Sequence, residues 1–179
     1  MMFARGINMD VSKIILGTGS YSTVLSGNTV SITGDGGNAW GYYGPAYKKL
    51  SPRLVTDTSY AKKYEELLKL KKNALRLHEY LHLRKQIEDQ YIESYYETRL
   101  KELDVVELFS VLQEKFGNHI ILLCHENIEE FCQRRLVADY IELKTGVYIP
   151  EVTVSPDGVI QRVEPIRYKK RLQKVISRR

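Results

Sequence analysis

The amino-acid sequence predicts a protein of the α/β class with a short, mainly parallel sheet, and three observations lead to this prediction. Apolar or β-branched runs of strand length occur at residues 13–16, 28–33 and 120–124. Residues 53–116 contain no glycine or proline, and their apolar side chains recur at helical spacing. The third strand-length run leads through a short polar segment into an apolar-rich helical segment, an order typical of open α/β sheets.

Length and composition favour one domain of ordinary composition. The chain has 179 residues, of which 43% are hydrophobic and 27% charged, which is typical of a globular protein with a sizeable core. No apolar run has the length of a membrane helix, and the first residues lack the apolar centre of a signal peptide. We therefore expect a cytoplasmic protein with no membrane partner, in which residues 1–164 form the domain.

The first predicted strand, residues 13–16, is followed by the glycine-containing sequence GTGSYS. A sharp turn here would present several backbone N–H groups to an anion. A third glycine of the dinucleotide-binding fingerprint is missing, so a plain strand-end turn is the alternative. The candidate ligand-binding residues of this segment are Gly17, Thr18, Gly19, Ser20 and Tyr21.

The second predicted strand, residues 28–33, precedes a long loop over residues 34–52. The loop holds five glycines, three tyrosines and Trp40, the only tryptophan of the chain. Aromatic rings on a long loop favour a ligand lid or a stacking platform, whereas a small satellite core is the alternative. The candidate ligand-binding residues here are Trp40, Tyr43 and Tyr47.

The glycine-free region predicts at least two long helices, with a break near residues 71–73 or near 88–90. Its tyrosines and leucines make self-association into a homo-oligomer a further hypothesis. Asp104 is expected to cap another helix, which Gly117 would close.

The third strand ends at Cys124, and the spacing of Asn127 and Glu130 is that of a capping box, which predicts a helix from Ile128. The positive end of that helix would lower the pKa of Cys124, but the neighbouring glutamates oppose this effect. Cys124 is thus a candidate nucleophile or a packed thiol, and Glu126 is a candidate acid or base. Cys132 and Arg134 are candidate ligand-binding residues, and Arg134 would pair with a phosphate or carboxylate, or with Glu126 itself.

The two cysteines, Cys124 and Cys132, are expected to be reduced thiols that lie too far apart for a disulfide. No CxxC pair is present, and the four histidines do not combine with the cysteines at familiar zinc-finger spacings. The sequence therefore predicts no metal site and leaves any cofactor unknown.

The C-terminal part predicts a hairpin within residues 146–164, because a Ser-Pro-Asp-Gly turn separates two β-branched runs. Residues 165–179 carry seven basic side chains and no acid, whereas residues 1–164 carry 20 basic and 22 acidic side chains. This basic tail shows the spacing of an amphipathic helix over residues 166–177. Its candidate nucleic-acid contacts are Lys169, Lys170, Arg171 and Lys174.

Three blocks of sequence resemble the uncharacterised proteins grouped as domain of unknown function 488. The first resembles the family's strand-end cysteine, a glutamate two residues on, and a Cys-His-Arg triplet. The other two are similar to a Gly-x-x-Tyr-x-x-Leu-x-Pro segment and to a tyrosine-bearing helix that ends in Leu-Asp. The matching residues are Cys124, Glu126, Cys132 and Arg134; Gly44, Tyr47, Leu50 and Pro52; and Tyr91, Tyr95, Leu103 and Asp104.

The resemblance implies a small three-layer α/β fold and no established reaction. Gln133 stands where the family has the histidine of the triplet, so a proton-transfer role for that position does not carry over. Residues 60–88 are a helical insertion relative to typical members, and the C-terminal hairpin and tail are also additional.

Two functional hypotheses follow. In the first, an anionic or nucleotide-like small molecule binds at the carboxyl ends of the strands, and the site is that of an enzyme or of a binding protein. The alternative is a non-enzymatic module in which the helical insertion and the basic tail bind a nucleic acid or a protein.

Overall fold

A computed structural model describes residues 10–52 and 58–178 of the chain. The start of the predicted domain, the start of the glycine-free region and Arg179 of the tail lie outside the described residues. Within them, a mostly parallel five-stranded sheet with helices confirms the predicted α/β class. The strands are β1 (Ile15–Ser20), β2 (Asn28–Ser31), β3 (Ile120–Cys124), β4 (Glu151–Val154) and β5 (Ile160–Val163). Their order is β2-β3-β1-β4-β5, and only β4 and β5 pair antiparallel.

The helices of the described residues account for about half of their length. They are α1 (Val11–Ile14), α2 (Thr58–Lys71), α3 (Leu77–Tyr95), α4 (Val105–Phe116), α5 (Gln133–Thr145) and α6 (Lys169–Ser177). The helices α2 and α3 pack together as a helical hairpin, which is interrupted near the first of the two predicted break points. Asp104 caps α4 as predicted, because its side chain accepts hydrogen bonds from Val106 N at 2.9 Å and Glu107 N at 3.0 Å.

The beginning of β1 differs from the prediction. Residues 11–14 form a short helix, and residues 17–20 continue the strand instead of turning. A Cβ atom on Gly17 would lie 2.8 Å from Pro150 O, and one on Gly19 would lie 2.4 Å from Val24 Cγ2. The two glycines therefore permit close packing inside the sheet, and their backbone does not form the expected anion-binding turn.

The two faces of the sheet are covered differently. Alternate residues of β3, such as Ile120 and Leu122, belong to the main hydrophobic core together with side chains of α3, α4, α5 and α6. Ile121 and Leu123 point to the other face, where Val24 and the partly buried Tyr42 come from loops. The chain thus forms a helical layer, the sheet and a covering layer of loop residues.

The C-terminal region is packed against the domain. The antiparallel strands β4 and β5 form the expected hairpin, and α6 packs against α3 and α5. Leu172 and Val175 of α6 are buried, and Asp139 Oδ2 accepts a hydrogen bond of 2.5 Å from Tyr168 N. The tail is therefore a docked helix along most of its length.

None of the helices in the described ranges combines the length and apolar character needed to cross a membrane. Several leucines of the α2–α3 hairpin are exposed, including Leu75, Leu77 and Leu81. Self-association through this hairpin stays a prediction.

Candidate functional site

The carboxyl ends of three neighbouring strands meet at one edge of the sheet. Ser20 at the end of β1 pairs with Cys124 at the end of β3, and Ser31 at the end of β2 pairs with Leu123. A cleft of about 810 Å³ separates this edge from the α2–α3 hairpin. It is lined by Thr33, Gly34, Pro52, Tyr64, Leu67, Lys71, Tyr80, Arg84, Ile87, Glu88, Tyr91, His125, Glu126, Glu129, Glu130, Phe131 and Gln133.

The helical wall of the cleft was not among the predicted site residues. Tyr80, Arg84, Ile87 and Tyr91 recur every three or four residues, so they lie on one face of α3. The sequence contains this periodicity, and the tyrosines within it could have indicated a ligand-binding face of the helix. Only the packing of the hairpin against the strand ends identifies this face as the one that borders a cleft.

Three predicted residues come together beneath the cleft, which only Glu126 of the three lines. Each of them offers one atom that can bind a metal, and these three atoms, from Cys124, Glu126 and Cys132, lie within 4.8 Å of one another. Both cysteines are buried free thiols. The two thiols, which were expected to lie too far apart for a disulfide, are unbonded close neighbours, because residues 125–131 fold back and place the start of α5 beside the end of β3.

The predicted helix start at Ile128 is also wrong. The helix α5 begins at Gln133, with Cys132 as its N-cap residue. One half of the capping box forms, since Asn127 N donates to Glu130 Oε2 at 2.8 Å. Glu130 N also donates to Asn127 O at 3.1 Å, so the interaction closes an isolated turn. The positive end of the helix consequently adjoins Cys132, its N-cap residue, rather than following directly after Cys124 in the chain.

The surroundings of Cys132 disfavour its thiolate form. Complete burial raises the pKa of the Cys132 thiol well above its usual value, and the adjacent Cys124 thiol acts in the same direction. Arg134 acts in the opposite direction but does not prevail. Since Cys124 is also fully buried, an attack by either thiol on a ligand in the cleft would require the loop to move.

Arg134 does not line the cleft, in contrast to its expected role as an anion ligand. Its side chain is 1% exposed and donates to Glu151 Oε1 at 2.9 Å and to Glu126 O at 2.8 Å. Burial opposes the charge, but the nearby Cys132 and Glu151 raise the pKa of Arg134 above its ordinary value. Arg134 therefore fixes the backbone of the loop that carries Glu126.

The predicted ligand residue Thr18 belongs to the same buried network. Its hydroxyl donates to Glu151 Oε2 at 2.5 Å and accepts a hydrogen bond from Arg135 Nη1 at 2.9 Å. Gly17 and Gly19 flank it inside β1 and are also buried. These three residues contribute to the packing of the sheet and do not reach the cleft.

Two predicted aromatic residues pack against His125, which lines the cleft. The rings of Tyr21 and Trp40 have centroids 5.3 Å and 5.8 Å from that of His125. His125 Nε2 lies 3.5 Å from Asp35 Oδ1, and the Tyr21 hydroxyl hydrogen-bonds with Thr33 Oγ1 at 2.9 Å. The predicted loop is thus folded against the strand ends, with Trp40 half exposed.

The other predicted ligand residues are dispersed. Ser20 is buried, and its hydroxyl donates to His125 O at 3.3 Å beneath the cleft. Tyr47 is buried in the main hydrophobic core against Phe116, and so belongs neither to a lid nor to a separate satellite core. Tyr43 is 89% exposed and does not line the cleft.

The four candidate nucleic-acid contacts of the tail divide into two pairs. Lys169 Nζ lies 3.2 Å from Glu142 Oε1, and Arg171 makes ion pairs with Glu88 and Asp89. Lys170 and Lys174 are exposed, and they are four residues apart on one face of α6. The surface left for a nucleic-acid backbone is therefore smaller than the basic tail suggests.

Comparisons with known proteins add no further assignment. No protein-family model matches the chain, and no curated protein sequence or solved structure is significantly similar to it. The resemblance to the domain of unknown function 488 proteins therefore stays a sequence-based prediction.

Proposed function

We propose that this protein binds a nucleoside-like small molecule in the cleft between the α2–α3 hairpin and the carboxyl ends of the strands. The observation that carries the proposal is the composition of the cleft, which combines four incompletely buried aromatic rings with the carboxylate of Glu126. The rings are those of Tyr64, Tyr80, Tyr91 and Phe131. Its volume of about 810 Å³ lies in the range of small-molecule sites.

The charges of the cleft favour an uncharged ligand such as a nucleoside over a nucleotide that carries phosphates. Four glutamates line it, against one lysine and one arginine, and Arg84 already pairs with Glu88 at 2.9 Å. Such a lining disfavours a triphosphate by like-charge repulsion. Carboxylates accept hydrogen bonds well from the amino and hydroxyl groups of a base and a sugar.

Glu126 is the residue of the cleft best placed to direct polar chemistry. Its Oε2 atom is buried and has no hydrogen-bond partner within the described part of the chain. A buried carboxylate oxygen without a partner is costly, and a donor group of the ligand would remove that cost. Glu126 is consequently the acid–base candidate if binding is followed by a reaction.

The two free buried thiols support the expected cytoplasmic location, because such pairs persist as thiols in reducing compartments.

Calorimetric titration with the four common nucleosides and their triphosphates tests the proposal. We expect at least one nucleoside to bind, and its triphosphate to bind more weakly. Tyr80→Ala should weaken nucleoside binding by roughly 1–3 kcal/mol, the contribution of one base–aromatic stack. Glu126→Gln should weaken it as well, because the amide replaces an acceptor oxygen by a donor.

The matched control is Tyr148→Ala. Tyr148 is also an incompletely buried tyrosine, but it packs against Arg167, with 5.1 Å from Arg167 Cζ to the ring centroid, and does not line the cleft. The proposal fails if no nucleoside binds, or if Tyr80→Ala binds as tightly as the wild type.

A further inference from the structure

The cluster beneath the cleft has the composition of a metal site. Cys124 comes from the end of β3, Glu126 from the following loop, and Cys132 from the N-cap position of α5. One ligating atom from each lie within 4.8 Å of one another. Ligand atoms around a tetrahedral zinc ion are roughly 3.3–3.8 Å apart, so the cluster needs to contract by only about 1 Å.

The donor set selects a class of ion. Two sulfur atoms and one carboxylate favour thiophilic divalent cations such as Zn²⁺ and Co²⁺, whereas Mg²⁺ and Ca²⁺ require oxygen ligands. A bound cation would displace the thiol protons, because coordinating cysteines bind as thiolates. The cation would also give the unpartnered Glu126 Oε2 atom an interaction partner.

The surroundings of the cluster are arranged to support it. Arg134 Nη1 donates to Glu126 O at 2.8 Å, and its Nη2 donates to Asn127 O at 3.4 Å. The same guanidinium interacts electrostatically with both cysteines, although Glu151, 2.8 Å away, shares its charge. Its hydrogen bonds hold the backbone of the loop that carries Glu126, so Arg134 supports the position of one of the three ligands.

From these observations we infer that Cys124, Glu126 and Cys132 bind a thiophilic divalent cation beneath the cleft. Three protein ligands leave one position of a tetrahedral ion for water or for a molecule in the cleft, which Glu126 borders. This differs from the sequence-based expectation of no metal, because the spacing Cys-x-Glu-x5-Cys matches no familiar zinc motif. The inference does not depend on nucleoside binding, and its test contains no nucleoside.

The test is a titration of the metal-stripped, reduced protein with Co²⁺, followed by absorption spectroscopy. The wild type should bind one equivalent of Co²⁺ and develop a thiolate-to-cobalt charge-transfer band. Cys124→Ser and Cys132→Ser should each bind Co²⁺ at least about tenfold more weakly, since loss of a residue that only supports a ligand already costs this much. At saturation each should lose about half of this band, because one thiolate remains. Glu126→Gln should weaken binding but retain the band, and excess Mg²⁺ should not compete.

The matched control is Glu129→Gln, because Glu129 borders the same cleft but lies outside the cluster. It should bind Co²⁺ like the wild type. Far-ultraviolet circular dichroism checks that each variant is folded. If a serine variant is unfolded, X-ray absorption of the wild type loaded with one equivalent of zinc decides, and two sulfur ligands are expected. A wild type without the charge-transfer band, or a zinc shell without sulfur, would overturn the inference.

Discussion

The Arg134–Glu151 ion pair and the Cys124–Glu126–Cys132 cluster are close neighbours, yet their polar groups are arranged in opposite ways. Arg134 and Glu151 are both almost fully buried and lie 2.8 Å apart between Nη2 and Oε1. In the cluster, Glu126 Oε2 is buried without a partner in the described chain, and the buried thiols adjoin a cleft. The difference suggests that one region stabilises the fold and that the other is prepared for a ligand.

The largest expected effect concerns the ion pair. Arg134→Met should lower the free energy of unfolding by about 3 kcal/mol, because the buried Glu151 would keep only Arg135 Nη1, 3.9 Å away, as a charged partner. Urea denaturation measures this loss. The control is Arg76→Ala, which removes the half-exposed Arg76–Glu79 pair and should not change stability measurably. Equal effects of the two substitutions would contradict a structural role for Arg134.

Zinc should stabilise the wild type more than a variant that lacks one of the two thiols. Zinc at roughly 100 times its dissociation constant should raise the free energy of unfolding of the wild type by about 2.7 kcal/mol. Cys132→Ser should gain no more than about 1.4 kcal/mol at the same zinc concentration, since a site at least tenfold weaker is then at most tenfold above its dissociation constant. Equal stabilisation of Cys132→Ser and the wild type by zinc would place the bound ion elsewhere on the protein.

A smaller effect is expected at the loop that places Trp40 beside the cleft. Asp35 accepts hydrogen bonds from Gly37 N at 2.9 Å and from Thr33 Oγ1 at 2.8 Å. The bond from Gly37 N contributes most and that from Thr33 less, and together they lower the pKa of Asp35 to about 2. Asp35→Ala should therefore loosen the loop, at a cost of about 1 kcal/mol because the side chain is partly exposed.

The pH dependence of this loop follows from the lowered pKa. The folded-state value lies below that of the unfolded chain, so the contribution of Asp35 is fully present above about pH 4–5 and is lost as the pH falls toward 2. Trp40 is the only tryptophan, so its fluorescence reports on the loop. Emission should change over this acidic range in the wild type, and Asp35→Ala should already differ at neutral pH. Identical emission of both proteins at neutral pH would contradict this role.

The smallest effect is expected on α6, where paired and unpaired cations occur side by side. Lys170→Ala combined with Lys174→Ala should change stability by less than about 0.5 kcal/mol, since both side chains are exposed. Arg171→Ala should cost more, because Arg171 pairs with Glu88 and Asp89. Suppose that the wild type binds an oligonucleotide with steep salt dependence and the double lysine variant does not. This result would favour nucleic-acid binding by the tail over nucleoside binding in the cleft.

Local signals in the sequence predicted those elements whose residues interact mainly within the element. The apolar run of β3 and the helix between Asp104 and Gly117 are both where the sequence indicates them. The start of α5 was misplaced because Asn127 and Glu130 make capping interactions around an isolated turn. The same residue types form both arrangements, so the pattern alone does not distinguish them.

The candidate site was less predictable because it depends on contacts between distant segments. Cys124 and Glu126 were identified from their place after a strand, but their proximity to Cys132 depends on how the loop folds back. Arg134 has the residue type of an anion ligand, and only Glu151, 17 residues further on, shows that its charge is already paired. The wall of the cleft formed by α3 likewise depends on where the hairpin packs.

The central claim is that the Cys124–Glu126–Cys132 cluster is the ligand-binding region of this molecule, and diffraction at the zinc absorption edge tests it most directly. Crystals soaked in zinc should give an anomalous difference peak at the cluster, about 2.3 Å from both thiol sulfurs. A map in which zinc occupies only surface histidines or carboxylates, with both thiols unbound, would contradict the account.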